Sequence, residues 1–255
     1  MLVWRRCLSP SAAAAAELGC DTVRRLILLC LVLALVPVGC ETREQRLERL
    51  MSQFRKGNDK EREQAAHGLG NTCFILGDTP KVRQAVELLE SALNDKNPHI
   101  RSAAAMALGD IRIPAQRTIM ELGKRLDDEE EFVRQNAAWA LVGILQISEE
   151  PVPGQKELVP SLLKRLRDDN QYVRSASVRA LSKISPTDGE VWRAIASLAK
   201  DQEVGVRCEV AGAFEDAGKA GKPYLPTLRA MLDDESETVR SKAASSIQAI
   251  ESAKE

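Results

Sequence analysis

From residue 43 onward, apolar residues recur at the spacing i, i+3, i+7 in separate stretches of the chain. Leu47, Leu50 and Phe54 form the first set, followed by Val86, Leu89 and Leu93, then Ile119, Leu122 and Leu126. Val159, Leu162 and Leu166, Trp192, Ile195 and Ala199, and Leu225, Leu228 and Leu232 complete six. This spacing puts three side chains on one stripe of an α-helix. A short polar segment follows each set. A second helical stretch then opens with an apolar residue and an arginine: Ile100-Arg101, Val133-Arg134, Val173-Arg174, Val206-Arg207 and Val239-Arg240. The pattern predicts a helix, a polar turn and a second helix, repeated along the chain.

The arginines are 33, 40, 33 and 33 residues apart, and six residues before each stands an aspartate: Asp95, Asp128, Asp168, Asp201 and Asp234. Small or β-branched residues come three and four positions after each arginine, as in Ala104-Ala105, Ala137-Ala138 and Ser177-Val178. A large apolar residue comes seven after: Leu108, Leu141, Leu181, Phe214 and Ile247. An earlier copy has Arg62, Ala65-Ala66 and Leu69, with Lys56 in place of the aspartate. Asn97-Pro98 reads as an N-cap with proline at the first helical position. The segments 77–80 and 151–154 read as loops that lengthen two of the intervals. Pro160 and Pro226 fall within first-helix segments, where they are expected to kink the helix or delay its start.

An aspartate in the turn, Val-Arg opening the second helix and Ala-x-x-Ala-Leu along it resemble the HEAT repeat, in the short form of phycobilisome lyase subunits. The resemblance covers roughly residues 43–252. It implies an all-α fold, an α-solenoid of about six helix pairs whose second helices line the concave surface. Tetratricopeptide and ankyrin markers are missing.

An Asp/Arg pair invites a catalytic reading, but five copies at one spacing suit a structural ladder that locks each turn to its neighbour. Asp95 and Arg101, Asp128 and Arg134, Asp168 and Arg174, Asp201 and Arg207, and Asp234 and Arg240 are its expected members. Trp192 lies in a column otherwise filled by aliphatics and is expected in the core. Trp139 is different. Five residues after each arginine the column reads His67, Met106, Trp139, Arg179, Gly212 and Ser245, too mixed for a core. Residues one and five after the arginine share a helix face. Ser102/Met106, Gln135/Trp139 and Ser175/Arg179 are therefore the candidate partner-binding stripe, with the Trp and Arg that binding hot spots favour.

The N-terminus carries a separate signal. Arg24 and Arg25 precede an apolar run from Leu26 to Val38. As a helix that run rises about 20 Å, too short for the roughly 30 Å hydrocarbon core. Basic residues, a short apolar stretch and a small residue describe a secretory signal peptide. Val38, Gly39 and Cys40 resemble the lipobox of bacterial lipoproteins, with Pro37 where that family has an aliphatic residue. The resemblance implies a leader over 1–39 and lipidation of Cys40, with 40–42 as the lipidated N-terminus. A start at Val23 would give a leader of ordinary length, so 1–22 is expected to be a mis-assigned start. Cys73 and Cys208 then remain as free thiols, about four repeats apart and beyond disulfide reach.

The chain carries 36 basic and 37 acidic residues, and removal of the leader leaves 32 and 35, a charge of -3. That balance argues against nucleic-acid binding, which needs basic surface. Two histidines in unrelated contexts provide no metal site, and no phosphate loop, nucleophile elbow or CxxC is present. No cofactor is expected. These features predict a non-enzymatic, membrane-tethered scaffold or adaptor of the cell envelope. It is expected to be monomeric, with a protein partner on the concave face and attachment through the lipid to the inner or outer membrane. The alternative is a chromophore lyase or isomerase subunit of the phycobilisome-lyase type; a HEAT-like DNA glycosylase and a signal-free cytosolic scaffold are more distant rivals.

Overall fold

The periodic stretches fold as helix pairs in the computed structural model, which describes residues 41–252; the expected leader and Cys40 lie outside them. Among the described residues there are twelve α-helices and no strand. They are α1 (Arg43–Lys56), α2 (Asp59–Leu76), α3 (Pro80–Ala92), α4 (Pro98–Ile111), α5 (Gln116–Arg125) and α6 (Glu131–Ile147). Then come α7 (Val159–Arg165), α8 (Gln171–Ile184), α9 (Gly189–Ala196), α10 (Val204–Asp216), α11 (Leu225–Ala230) and α12 (Glu237–Ser252). Odd-numbered helices open each pair and even-numbered helices close it.

Local chemistry sets the helix starts. Asn58 and Glu61 form a capping box on α2, each side chain accepting from the other's amide at 3.1 and 2.9 Å. Thr79 caps α3 ahead of Pro80, Asn97 caps α4 ahead of Pro98, and Asn170 and Asp188 cap α8 and α9. Pro160 and Pro226 are second residues of α7 and α11, the two shortest α-helices described. A 3-10 turn precedes each, Gln155–Leu158 and Gly218–Tyr224. Proline has therefore delayed these helices rather than bent them, since a first-turn proline sacrifices no helical hydrogen bond.

Each even-numbered helix packs along the next, from α2 to α12, whereas odd-numbered helices touch one another little. Small side chains permit that packing. Ala65, Ala66, Ala104, Ala105, Ala137, Ala138, Val210 and Ala211 are all buried. Between α4 and α6 the fit is close: a Cβ added at Gly109 would lie 2.8 Å from the Ala140 Cα.

The odd helices turn their apolar stripes into the same core. Leu47, Leu89, Ile119, Leu122, Leu162 and Ile195 are fully buried, each contributing about 1.5–3 kcal/mol of transfer free energy. Trp192 joins them beside Phe214, its indole nitrogen donating to the Pro186 carbonyl at 2.9 Å. The sixth pair departs from the expected register. Leu232 is exposed and Met231 takes the buried place, because Met231–Asp233 is a 3-10 turn. Its three residues per turn shift which side chain points inward.

Candidate partner-binding face

The repeated arginines join neighbouring pairs in a common geometry. Arg101 Nη1 donates to the Asp95 carbonyl at 3.0 Å, within its own turn. Its Nε and Nη2 then grip the carboxylate of Asp128, one repeat on, at 2.9 and 2.7 Å. Arg134 does the same with the Asp128 carbonyl and the Asp168 carboxylate, and Arg174 with Asp168 and Asp201. Arg207 spans Asp201 and Asp234 in the same way. Arg62, in the partial copy, reaches Asp95 and supplies a first rung. Arg240 donates to the Asp234 and Glu235 carbonyls and has no carboxylate partner among the described residues.

Each carboxylate also caps the turn that carries it. Asp95, Asp128, Asp168, Asp201 and Asp234 each accept from the amide two residues on. Burial by itself raises the Asp128 and Asp168 carboxyls. The guanidinium of the preceding repeat and the turn amide outweigh it and hold both below the ordinary carboxylate value. These paired charges are held by charge-assisted bonds. Their arrangement fixes the repeats but offers no unoccupied reactive group.

The predicted binding stripe divides in two. Met106 on α4, Trp139 on α6 and Arg179 on α8 line one depression of about 270 Å³. Gly109, Ala140 and Gly143 also line it, and Asp110, Arg112, Asn136 and Gln146 provide its polar groups. Met106 is 37% exposed and Trp139 is half-buried. The Arg179 guanidinium carbon stands 5.6 Å from the centre of the Trp139 ring, within cation–π range. Glu209 on α10 grips the same guanidinium at 2.7 and 2.6 Å and raises its pKa further. A chain of contacts therefore runs Trp139, Arg179, Glu209 across three successive even helices.

The other three stripe residues lie elsewhere. Ser102 is only 8% exposed and accepts from Asn136 Nδ2 at 2.7 Å, so it does not face outward as the stripe required. Gln135 accepts from Asn170 at 3.1 Å and is likewise tied to the next repeat. Ser175 is half-buried on α8 and lines neither depression of this face. Positions one and five after the arginine differ by about 40° around the helix. That rotation turns Ser102 and Gln135 into the seam between adjacent even helices.

A second depression, about 520 Å³, adjoins the first, and Gln146 and Arg179 line both. Ser182, Lys183, Asp216 and the loop residues Glu149, Glu150 and Pro151 also line it. The loop after α6 therefore borders the second depression. Sequence reasoning missed Glu209, and also Glu215, which accepts from Lys242 and Ser246 between α10 and α12. Their signal is faint because each is a single pairing, not a repeated column.

A sequence model of HEAT repeats matches residues 47–142 and 121–200. AP-3 complex subunit beta-1 of Bos taurus and of Homo sapiens is 30% identical over 105 residues, 40% of this chain. The chain spans 9% of the length of these curated relatives. Among solved structures, an engineered protein superposes with a TM-score of 0.61 at 21% identity, over 81% of this chain and 97% of its own. A designed armadillo repeat protein in complex with peptide (KR)4 superposes with a TM-score of 0.59 at 20% identity, over 80% and 99%. These likenesses establish a helical-repeat solenoid.

Proposed function

Because the chain belongs to the HEAT-repeat family, we propose that it is a non-enzymatic scaffold or adaptor that docks a protein partner on its even-helix face. The observation that carries the reading is the convergence of Met106, Trp139 and Arg179, from three successive repeats, on one depression. An exposed methionine, a half-buried indole and a bound guanidinium have the composition of a binding hot spot. The designed armadillo protein of similar fold was solved with a peptide; for this chain that supports only the ability of such a stack to receive one.

The finer reading adds the address and the repeat type. Cys40, after Val38-Gly39, carries a lipid that tethers the repeats outside the cytoplasm of a bacterial cell, and the repeats are of the short phycobilisome-lyase type. Inhibition of lipoprotein signal peptidase by globomycin then leaves a larger precursor; an unchanged mass overturns the tether. For the face itself, a photoreactive residue at position 139 crosslinks a protein partner in living cells. Trp139→Ala lowers that partner's affinity, and an unchanged affinity abandons the face. Pigment copurifying with the chain, or a changed bilin absorbance on mixing, would favour the chromophore-lyase alternative instead.

A further inference from the structure

The two adjoining depressions differ in character, and the difference says what kind of segment fits them. The first is walled by Met106 and Trp139 and floored by Gly109, Ala140 and Gly143, which leaves room for one large apolar side chain. The second is polar, bordered by Glu149, Glu150, Lys183 and Asp216.

Charge across the pair of depressions is unbalanced. Asp110, Glu149, Glu150 and Asp216 are exposed and make no side-chain hydrogen bond or ion pair among the described residues, although the Asp216 charge acts on Arg179. Arg112 and Lys183 are the exposed cations lining the same space, since Arg179 is already neutralised by Glu209. Four exposed carboxylates thus face two exposed cations beyond the Arg179–Glu209 pair. At the apolar end Arg112 matches Asp110 in charge, so the acidic surplus lies at the polar end, where Glu149, Glu150 and Asp216 face Lys183.

Length and hydrogen bonding favour an extended chain. The groove crosses α4, α6, α8 and α10, three interhelical steps of about 8–10 Å each. A strand rising about 3.3 Å per residue covers that span in about eight or nine residues. Asn136 donates to Ser102, and among the described residues its carbonyl oxygen and the Gln146 amide have no hydrogen-bond partner. Such groups suit a segment whose main chain is unpaired; a helix satisfies its own.

We propose that the groove receives an extended peptide segment of a partner protein, with one large apolar side chain between Met106 and Trp139 and Lys or Arg on the side facing Glu149 and Glu150. This rests on the protein-docking reading above and adds the chemistry of the partner. The basic side chains beyond the anchor meet Glu149, Glu150 and Asp216.

The test uses the full chain and a fluorescein-labelled peptide of about twelve residues, with a central Leu or Phe flanked by Lys and Arg. A twin carries Glu at every basic position. Fluorescence anisotropy is expected to show the basic peptide binding at least about tenfold more tightly than its twin and weakening as salt rises. Reversing two exposed loop charges, Glu149→Lys with Glu150→Lys, weakens it about fivefold or more without touching the helical core. Trp139→Ala weakens it as well.

A twin that binds equally well, an affinity indifferent to the loop reversal, or no binding of either peptide overturns the proposal. So does self-association of the chain that Trp139→Ala abolishes, which would put a second copy in the groove. If position 139 still crosslinks a partner in cells, the docking face survives and only its basic-peptide chemistry falls. If it crosslinks nothing, both fall.

Discussion

Arg101, Arg134, Arg174 and Arg207 each divide their donors between their own turn, through Nη1 to a carbonyl, and the next repeat, through Nε and Nη2 to a carboxylate. Removing one therefore frays a turn and strands a buried charge at once. For Arg134→Ala, Asp168 keeps Arg165 and the Asn170 amide, which softens the loss. The expected destabilisation is about 2–4 kcal/mol, read by urea unfolding, and a double-mutant cycle with Asp168→Ala should return a coupling of at least about 1 kcal/mol. Unchanged stability would remove the ladder from the account. The cysteines make a second residue-scale prediction. Burial pushes the Cys73 thiol up to about 12 and raises Cys208 less. In the native protein at pH 8, peptide mapping after alkylation should find Cys208 modified well before Cys73, and both modified after denaturation. The recurring Asp and Arg were legible in sequence as a lock between neighbours. Which carboxylate each arginine holds was not, because a periodic pattern has the same spacing to the repeat before and the repeat after.

Helices pair here through rows of small residues, and α4 against α6 is the clearest case. Gly109 lets the backbones meet where a Cβ would lie 2.8 Å from the Ala140 Cα and 2.9 Å from its Cβ. Gly109→Val should force the two helices apart at a cost of about 1–3 kcal/mol, visible as a lower melting temperature. Since Gly109 also lines the Trp139 depression, the same change should weaken partner binding. A variant of full stability would show that this contact does not set the helix spacing. The helices themselves were legible from the three-residue apolar sets, and α7 and α11 began late as their prolines required. The sixth apolar set departs from its expected register at Leu232. A period of 3.6 was extended into a segment that closes as a 3-10 turn, and nothing in the apolar spacing distinguishes the two over three residues.

Across the stack the turn carboxylates act together. Asp95, Asp128, Asp168 and Asp234 are all held below the ordinary carboxylate value. At the first three, hydrogen bonds overcome the opposing effect of burial; at Asp234 the bond from Arg207 dominates. A carboxyl depressed in the folded state favours folding above the unfolded value of about 3.9 and loses that contribution as pH falls through its folded value. Stability should therefore change little from about pH 7 to pH 5 and fall steeply below about pH 4, as urea unfolding at several pH values would show. A stability that stayed level through pH 3 would contradict the depressed carboxyls. By itself the sequence determined that this chain is a repeated helix pair and which residues form each apolar stripe, because helical periodicity is a local property. It also singled out the column containing Met106, Trp139 and Arg179. Only the tertiary structure decided that these three meet in one depression while Ser102 and Gln135 turn into a seam. Exposure in a solenoid depends on how far each helix is rotated against the next, and that rotation is set by packing between repeats rather than within them.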